Sequence, residues 1–278
     1  MNLRAVLELM RVSNLPTVWS NVVLGVMAGI IVGVSDGRVA GVYRESADFS
    51  EHGVTSVFNA LLMGMAFALP ISAFYCGGMV LNDYWDRAID AQERPGRPIP
   101  SGRISPQLAR GLAVLLFVVG LLYLLPIQLT AAFREDAGVA DGWVSLAASV
   151  LLVGVILAYN RVHSRTALSV LLMASCRVLA VLVIALLFAP GPAGAAWWLF
   201  VFAPALTLGV YTVMISIIAR REVEPGGLGG PKTVTNMIAA MPVLDAAWLA
   251  VMGLWPASVV CLVFAGLTKL GHRKIAGS

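Results

Sequence analysis

Residues 82–90 read NDYWDRAID and directly follow a long apolar stretch, residues 57–81. If the helix of that stretch continues through them, Asp83, Asp86 and Asp90, spaced i, i+3 and i+7, share one helix face. Like charges one turn apart repel, so a helix seldom collects three carboxylates at a membrane edge without a counter-charge. The spacing therefore predicts a cation site at the end of a membrane helix.

The cation that best fits this cluster is Mg²⁺. It takes hard oxygen ligands and is usually held by one or two carboxylates together with substrate phosphates. Asn82 precedes Asp86 by four residues and lies beside it on the same helix. We therefore interpret the cluster as a metal–diphosphate site. The alternative is an acidic helix end that faces solvent and binds nothing.

The composition indicates a membrane protein. The chain has 278 residues, 59% hydrophobic and 12% charged, with a mean hydropathy of +0.86. Soluble domains contain about 25% charged residues. The formal net charge of +4 is too small to favour nucleic-acid binding. Cys76, Cys176 and Cys261 lie in separate apolar stretches and indicate neither a disulfide framework nor a zinc site.

Apolar stretches of about 17–25 residues, long enough to cross a hydrocarbon core, recur along the whole chain. We predict eight membrane helices and leave a ninth open, the last of the eight being the weakest. The predicted spans are residues 15–35, 57–81, 108–130, 143–160, 166–189, 196–219, 235–254 and 255–271. The predicted fold is therefore an all-α, polytopic transmembrane bundle that forms one domain over residues 1–278.

The basic residues predict the orientation of these spans. With the N-terminus in the cytoplasm, most of the 19 Lys and Arg residues fall on the cytoplasmic side, and only Arg38, Arg44 and Arg134 fall outside. This bias follows the positive-inside rule. We predict that both termini and the loop 91–106 lie on the cytoplasmic face of a bacterial-type cell membrane.

Several residues inside the spans predict helix contacts. The glycine stripe of the first span, Gly25, Gly29 and Gly33, indicates close packing with another helix. Asn21 is predicted to form an interhelical hydrogen bond, with ligand binding as the alternative.

Two spans each contain a deep charge, Arg177 and Asp245. A lone ion in lipid is costly, and we predict that the two residues pair. The alternative places Arg177 in the active site.

Residues 82–105, NDYWDRAIDAQERPGRPIPSGRIS, closely resemble the first aspartate-rich motif of the UbiA-type intramembrane prenyltransferases. Residues 11–25, RVSNLPTVWSNVVLG, are similar to the first helix of that family, and residues 159–166, YNRVHSRT, are placed like its Tyr/Lys segment. The resemblance implies a helical bundle around a central, lipid-accessible cavity, in which Mg²⁺ holds a prenyl diphosphate.

The resemblance also implies roles for individual residues. The metal or diphosphate ligands would be Asn82, Asp83, Asp86 and Asp90. The leaving diphosphate would be contacted by Arg97 and Arg103. Apart from the resemblance, the candidates for substrate contacts near the mouth and within the bundle are Asn21, Tyr159, Asn160, Arg161, His163 and Arg177. For Tyr159, Asn160 and His163 the alternative is anchoring at the membrane surface.

The second acidic motif of the family is degenerate in this chain. The family carries a pair of aspartates after its sixth helix, where residues 219–227 read ARREVEPGG. Glu222 is the candidate second metal ligand. Arg220 and Arg221 could instead supply positive charge to the diphosphate, because a guanidinium fork matches phosphate oxygens. The alternative is that they anchor the helix at the cytoplasmic surface.

These features predict Mg²⁺-dependent transfer of a prenyl group from a prenyl diphosphate to an acceptor inside the membrane. A neutralised leaving group in a dry, apolar cavity suits a dissociative alkyl transfer. The sequence leaves the acceptor, aromatic or lipid, unidentified. The alternative is a non-catalytic membrane protein that binds or transports isoprenoid lipids, and release of diphosphate distinguishes the two.

Overall fold

The structure is a computed structural model that describes residues 3–35, 53–133, 140–162, 166–189, 194–222 and 232–274. Within these ranges all of the regular secondary structure is helical, as the sequence predicts. The helices are α1 (Leu3–Leu9), α2 (Leu15–Ser35), α3 (Gly53–Glu93), α4 (Pro106–Ala132), α5 (Ala140–Val162), α6 (Ala167–Phe188), α7 (Gly194–Trp197), α8 (Ala203–Glu222), α9 (Thr233–Val251) and α10 (Trp255–Lys274). A 3-10 turn, Val12–Asn14, joins α1 to α2, and a π-helical turn, Trp198–Phe202, joins α7 to α8.

Seven helical stretches of the described chain are long and apolar enough to cross a membrane. They are Val12–Gly33, Gly64–Glu93, Pro106–Ala132, Gly142–Val162, Ala167–Phe188, Gly194–Arg220 and Thr233–Val251. The eighth predicted span, residues 255–271, forms α10 and packs against α9. It is not among the seven, and its C-terminal turns carry the basic residues Lys269, Arg273 and Lys274.

Helix α2 lies at the centre of the bundle. About 83% of its apolar stretch, Val12–Gly33, is buried, against 28% for Pro106–Ala132 and for Gly142–Val162. It packs against α3, α6, α9 and α10. A helix that is apolar on all sides needs such surroundings, whereas α4 and α5 present much of their surface to lipid.

The glycines of α2 bring it close to α6. A Cβ atom at Gly25 would lie 2.8 Å from the carbonyl oxygen of Val181, and one at Gly29 would lie 2.7 Å from that of Ala185. Side chains larger than hydrogen would push the two helices apart, as expected for small residues at a helix crossing. The predicted close contact is confirmed at these two positions.

Helix α3 continues well past its apolar segment. It has 41 residues and runs without a break from Gly53 to Glu93, about 60 Å at 1.5 Å per residue. The segment NDYWDRAID is therefore helical, and its three aspartates follow the predicted i, i+3, i+7 spacing on one helix. This confirms the helical continuation on which the predicted cation site depends.

The described ends of the chain meet at the acidic end of α3. Glu8 of α1 forms an ion pair with Arg103, which follows α3, with 2.6 Å between Arg103 Nη1 and Glu8 Oε2. His272 of α10 contacts Asn14 at the start of α2. Both ends of the bundle's chain therefore lie on the same side as the acidic segment, in agreement with the predicted arrangement of the spans.

Candidate functional site

The acidic end of α3 is largely withdrawn from solvent. Asp83 and Asp90 are buried, with 5% and 3% of their surface exposed, and Asp86 is half-buried. Asn82 is buried beside them and donates an N–H from Nδ2 to Asp86 Oδ2 at 2.9 Å. Carboxylates in such surroundings need counter-charges, because an isolated buried ion is strongly destabilising.

Arg97 supplies the main counter-charge. Its Nη1 lies 2.7 Å from Asp90 Oδ2 and 3.3 Å from Asp83 Oδ1. One guanidinium therefore bridges two carboxylates that are seven residues apart on α3. The residue was assigned to the site by resemblance, and the structure brings it onto the acidic cluster.

The loop between α3 and α4 holds Arg97 in place. Ile99 and Ile104 of this loop are buried in an apolar cluster with Ala5 and Leu9 of α1. The Ile104 N–H donates to the Pro98 carbonyl at 3.0 Å, which closes the loop on itself. Burial of Ile99 and Ile104 thus fixes the backbone that follows Arg97.

Arg11 is a site residue that the sequence did not indicate. It donates from Nη2 to Asp83 Oδ1 at 3.3 Å. Its backbone has φ 48° and ψ 47°, the only left-handed non-glycine residue in the described ranges. Such backbone strain is often found where a fold must aim a side chain. Burial of the Arg11 guanidinium acts to lower its pKa, but the neighbouring Asp83 charge helps to outweigh burial and the pKa is raised.

Arg103 lies next to this cluster but uses its donors elsewhere. Besides its ion pair with Glu8, its Nη2 donates to the Gly96 carbonyl at 2.7 Å and its Nε to Ser101 Oγ at 3.0 Å. Arg103 therefore fastens α1 to the loop. Contact with a diphosphate remains a prediction for this residue.

The C-terminal end of α5 forms a further wall of the site. Tyr159 is close enough to interact electrostatically with Arg11, Asp86 and Arg220. The next residue, Asn160, is buried, and Arg161 is exposed. The predicted substrate residue Tyr159 therefore lies between the acidic cluster and the end of α8, whereas His163 lies outside the described residues.

The end of α8, where the second acidic motif was expected, is tied to α6. Arg220 Nη2 donates to the Thr166 carbonyl at 2.8 Å and to Ser169 Oγ at 2.7 Å. These contacts place Arg220 at the N-terminus of α6. Diphosphate binding and anchoring of the helix remain the two alternatives for this residue. The side chains of Arg221 and Glu222 lie outside the described part of the structure.

A buried polar network joins α2, α6 and α9 deeper in the bundle. Arg177 donates from Nη1 to Asn21 Oδ1 at 3.0 Å and from Nη2 to Thr17 Oγ1 at 3.3 Å. Asn21 in turn donates from Nδ2 to Asp245 Oδ2 at 2.8 Å. Arg177 and Asp245 are therefore linked through the amide of Asn21, where the sequence predicted a direct pair. The predicted interhelical hydrogen bond of Asn21 is confirmed.

This network extends towards the start of α2 and the end of α10. The Arg177 guanidinium lies 5.7 Å from the centre of the Tyr75 ring, and Asn14 Nδ2 donates to the Tyr75 hydroxyl at 3.1 Å. The other polar atom of the Asn14 side chain, Oδ1, lies next to His272 Nε2. Because an amide oxygen can only accept, Nε2 carries the proton and donates it. Burial lowers the pKa of His272, which favours this neutral form. The deep charges are thus connected to the end of α10.

The donor chemistry of the acidic cluster fits Mg²⁺. Asp83, Asp86 and Asp90 present hard carboxylate oxygens from one helix. Across the described ranges, however, no three acidic, imidazole or thiol groups lie close enough to hold a metal ion by themselves. Mg²⁺ usually takes only one or two protein carboxylates and completes its shell with phosphate oxygens and water. The arrangement suits an ion that binds together with a diphosphate.

Comparison with known proteins places this geometry in a family. A digeranylgeranylglyceryl phosphate synthase from Methanopyrus kandleri is 49% identical over 59 residues, 21% of this chain and 22% of that protein. One from Hyperthermus butylicus is 35% identical over 120 residues, 43% of this chain and 32% of that protein. The matched segments thus span about a fifth to a third of these relatives.

A solved structure of digeranylgeranylglyceryl phosphate synthase shares the fold, with a TM-score of 0.50 over 98% of this chain and 88% of that chain at 16% identity. The model of the UbiA prenyltransferase family matches residues 49–275. Because that match covers most of the 278 residues, the chain belongs to the UbiA prenyltransferase family.

Proposed function

We propose that this protein transfers a prenyl group from a prenyl diphosphate to an acceptor held in the membrane, and that Mg²⁺ is required. The observation that carries the proposal is the buried acidic end of α3. There Asp83 and Asp90 are neutralised by Arg97, and Arg11 adds a second guanidinium. Asp86 beside them is half-buried and accepts from Asn82.

The two arginines give the site charges that suit a diphosphate. Guanidinium groups match phosphate oxygens and form charge-assisted hydrogen bonds with them. We expect Arg11 and Arg97 to donate to the diphosphate as well as to Asp83, and so to stabilise the charge that grows on it as the bond to carbon breaks. Mg²⁺ on the aspartate oxygens would neutralise the same leaving group.

The bundle itself supports the carbon side of the reaction. The described chain has seven apolar helical stretches, and the central helix α2 is buried among its neighbours. A prenyl chain among apolar helices is kept from water, which protects an allylic cation from hydrolysis. The positive-inside bias supports a site at the cytoplasmic face.

The relatives suggest the first substrates to test. Their product name describes glyceryl phosphate that carries two geranylgeranyl groups. Geranylgeranyl diphosphate is accordingly the first donor to test, and geranylgeranylglyceryl phosphate is the first acceptor. Aromatic acceptors form the second set.

The direct test is turnover by the purified protein in detergent. With donor, acceptor and Mg²⁺ we expect diphosphate release and a prenylated product detectable by mass spectrometry, and chelation of Mg²⁺ should stop both. Asp86→Ala should abolish turnover while the protein stays folded, because Asp86 is half-buried and its loss strands no ion pair of Arg97. Wild-type activity in Asp86→Ala would contradict the assignment.

A non-catalytic isoprenoid-binding or transport protein is the second candidate. It is favoured by the degenerate second motif, since Arg220 is engaged with Thr166 and Ser169, and by the deep charges Arg177 and Asp245, which often mark substrate pathways in membranes. Mg²⁺-dependent binding of the prenyl diphosphate without release of diphosphate, whichever acceptor is supplied, would identify this function.

A further inference from the structure

Asn160, near the end of α5, has a buried oxygen with no hydrogen-bond partner. The residue is 3% exposed, and its Nδ2 donates to the Ile156 carbonyl at 2.8 Å. Its Oδ1 is among four side-chain N or O atoms of the described ranges that are buried without a partner. Because Nδ2 is fixed by its own bond, the unpartnered atom is an acceptor. Such an atom is costly to bury and indicates a donor that arrives in another state.

The helix register places Asn160 beside Asn82. Helices α3 and α5 both pack against α4, which lies between them in the chain, so α3 and α5 run parallel. A Cβ atom at Gly78 would lie 3.0 Å from Ile156 Cγ2, which marks where α3 and α5 touch. One turn further on, the same two faces carry Asn82 and Asn160.

A second observation supports this placement. Tyr159, the residue before Asn160, interacts electrostatically with Asp86, which is one turn beyond Asn82 on α3. The end of α5 therefore lies near the acidic cluster. Asn160 is part of the wall that faces the acidic end of α3.

The side-chain amide of Asn82 would lose its hydrogen-bond acceptor when a ligand binds to Asp86. In the structure it donates to Asp86 Oδ2 at 2.9 Å. If Asp86 turns its oxygens to a metal–diphosphate, as the proposed function requires, Asn82 Nδ2 loses its acceptor inside a buried site. An unpaired amide there would oppose ligand binding unless a neighbour accepted its N–H.

We propose that Asn160 is a positioning residue for the metal–diphosphate complex: its Oδ1 accepts the Asn82 N–H when Asp86 engages the ligand. The inference rests on the proposed function, because it needs Asp86 to serve the ligand. The exchange satisfies Asn82 Nδ2 in both states and Asn160 Oδ1 in the bound state. It thereby lowers the cost of freeing Asp86.

The two states make the role testable without turnover. Asn160→Leu removes an acceptor that is unused in the unliganded protein, so the unfolding temperature should stay the same or rise. Its affinity for a non-reactive geranylgeranyl thiodiphosphate with Mg²⁺ should fall about five- to tenfold, the usual effect of one neutral hydrogen bond. A residue with only a packing role would instead lower the unfolding temperature and leave the affinity unchanged.

Trp197→Phe is the matched control. Trp197 Nε1 is also buried without a partner, but the residue packs in the separate cluster of Val32, Ala189 and Val201. Its loss should leave the affinity for the analogue unchanged. Asn82→Ala and the Asn82→Ala/Asn160→Leu double variant should bind the analogue equally, since both lack the same hydrogen bond.

The outcomes separate the two proposals. Wild-type protein that binds no analogue in the presence of Mg²⁺ would overturn the proposed function, and this inference with it. Binding in the wild type that is undiminished in Asn160→Leu would overturn the inference alone. Additive losses in the double variant would also overturn it, because they would show that Asn82 and Asn160 act separately.

Discussion

Arg97 pairs with two buried carboxylates at once, so removing its charge would strand Asp90 and leave Asp83 with Arg11 as its counter-charge. Arg97→Gln should lower the free energy of unfolding by about 3–5 kcal/mol, the usual cost of leaving a buried charge unpaired. The partners, Asp83 and Asp90, have 7% and 4% of their side chains exposed and can draw little on solvent. Unfolding in detergent, followed by circular dichroism, measures the loss.

Arg94→Gln is the control for this prediction. Arg94 lies three residues earlier in the same loop and is exposed. The substitution removes the same charge from the same segment, and stability should change by less than about 0.5 kcal/mol, as is usual at the surface. Equal stability of Arg97→Gln and Arg94→Gln would show that the ion pairs of Arg97 contribute nothing.

Asn21 carries the coupling between the two deep charges. Asn21→Leu should destabilise the protein more than Arg177→Ala or Asp245→Ala alone, because it removes the amide that contacts both charges and keeps both charges buried. The Arg177→Ala/Asp245→Ala double variant should recover part of the loss of the single variants. Thermal unfolding of all four variants tests this. Strictly additive losses would show that the amide does not couple the charges.

For individual residues, the sequence predicted which charges belong together better than it predicted which atoms touch. Arg177 and Asp245 were expected to meet because lipid penalises lone ions, and that penalty is visible in composition. The bridging role of Asn21 depends on the rotation of three helices about their axes. Arg11 was missed for a related reason, since its left-handed backbone at a turn aims it at Asp83. No local pattern in the sequence marks such a turn.

The close contact between helices α2 and α6 can be tested by adding a single methyl group to a glycine at the crossing. Gly29→Ala would place Cβ 2.7 Å from the Ala185 carbonyl oxygen and 2.9 Å from Phe188 Cβ, so the helices must separate. We expect a loss of about 1–3 kcal/mol, typical of overpacking. Gly154→Ala in α5 meets no atom within 4 Å and should be neutral or slightly stabilising. Equal unfolding temperatures for the two variants would mean that the crossing is loose.

Element by element, the spans were the easiest feature to predict. In lipid every backbone polar group must be paired within the segment, so apolar length alone identifies a helix. The prediction of the acidic cluster required α3 to extend past its apolar segment, and the helix does so, to Glu93. The short helix α1 did not, because its seven residues are held by packing on Ile99 and Ile104 and by the Glu8–Arg103 pair. Such an element depends on partners that are distant in sequence.

For the whole molecule, the orientation in the membrane decides which compartment supplies the substrates. The structure brings α1, the loop after α3 and the end of α10 to one side, and the positive-inside rule assigns that side to the cytoplasm. Prenyl diphosphates carry several negative charges and do not cross bilayers unaided, so a site on this side would draw on the cytoplasmic pool.

Labelling of single introduced cysteines in intact cells tests that orientation. Arg94→Cys and Lys232→Cys, both at exposed positions, should react with a maleimide that cannot cross the membrane only after the cells are opened. Asp48→Cys and Asp136→Cys, in the predicted outer loops, should react at once. The unsubstituted protein is the background, since Cys76 and Cys261 are buried and Cys176 is half-buried. Labelling of Arg94→Cys from outside would show that the bundle has the reverse orientation, with the acidic cluster on the outer face. The substrates would then have to be exported before they could bind.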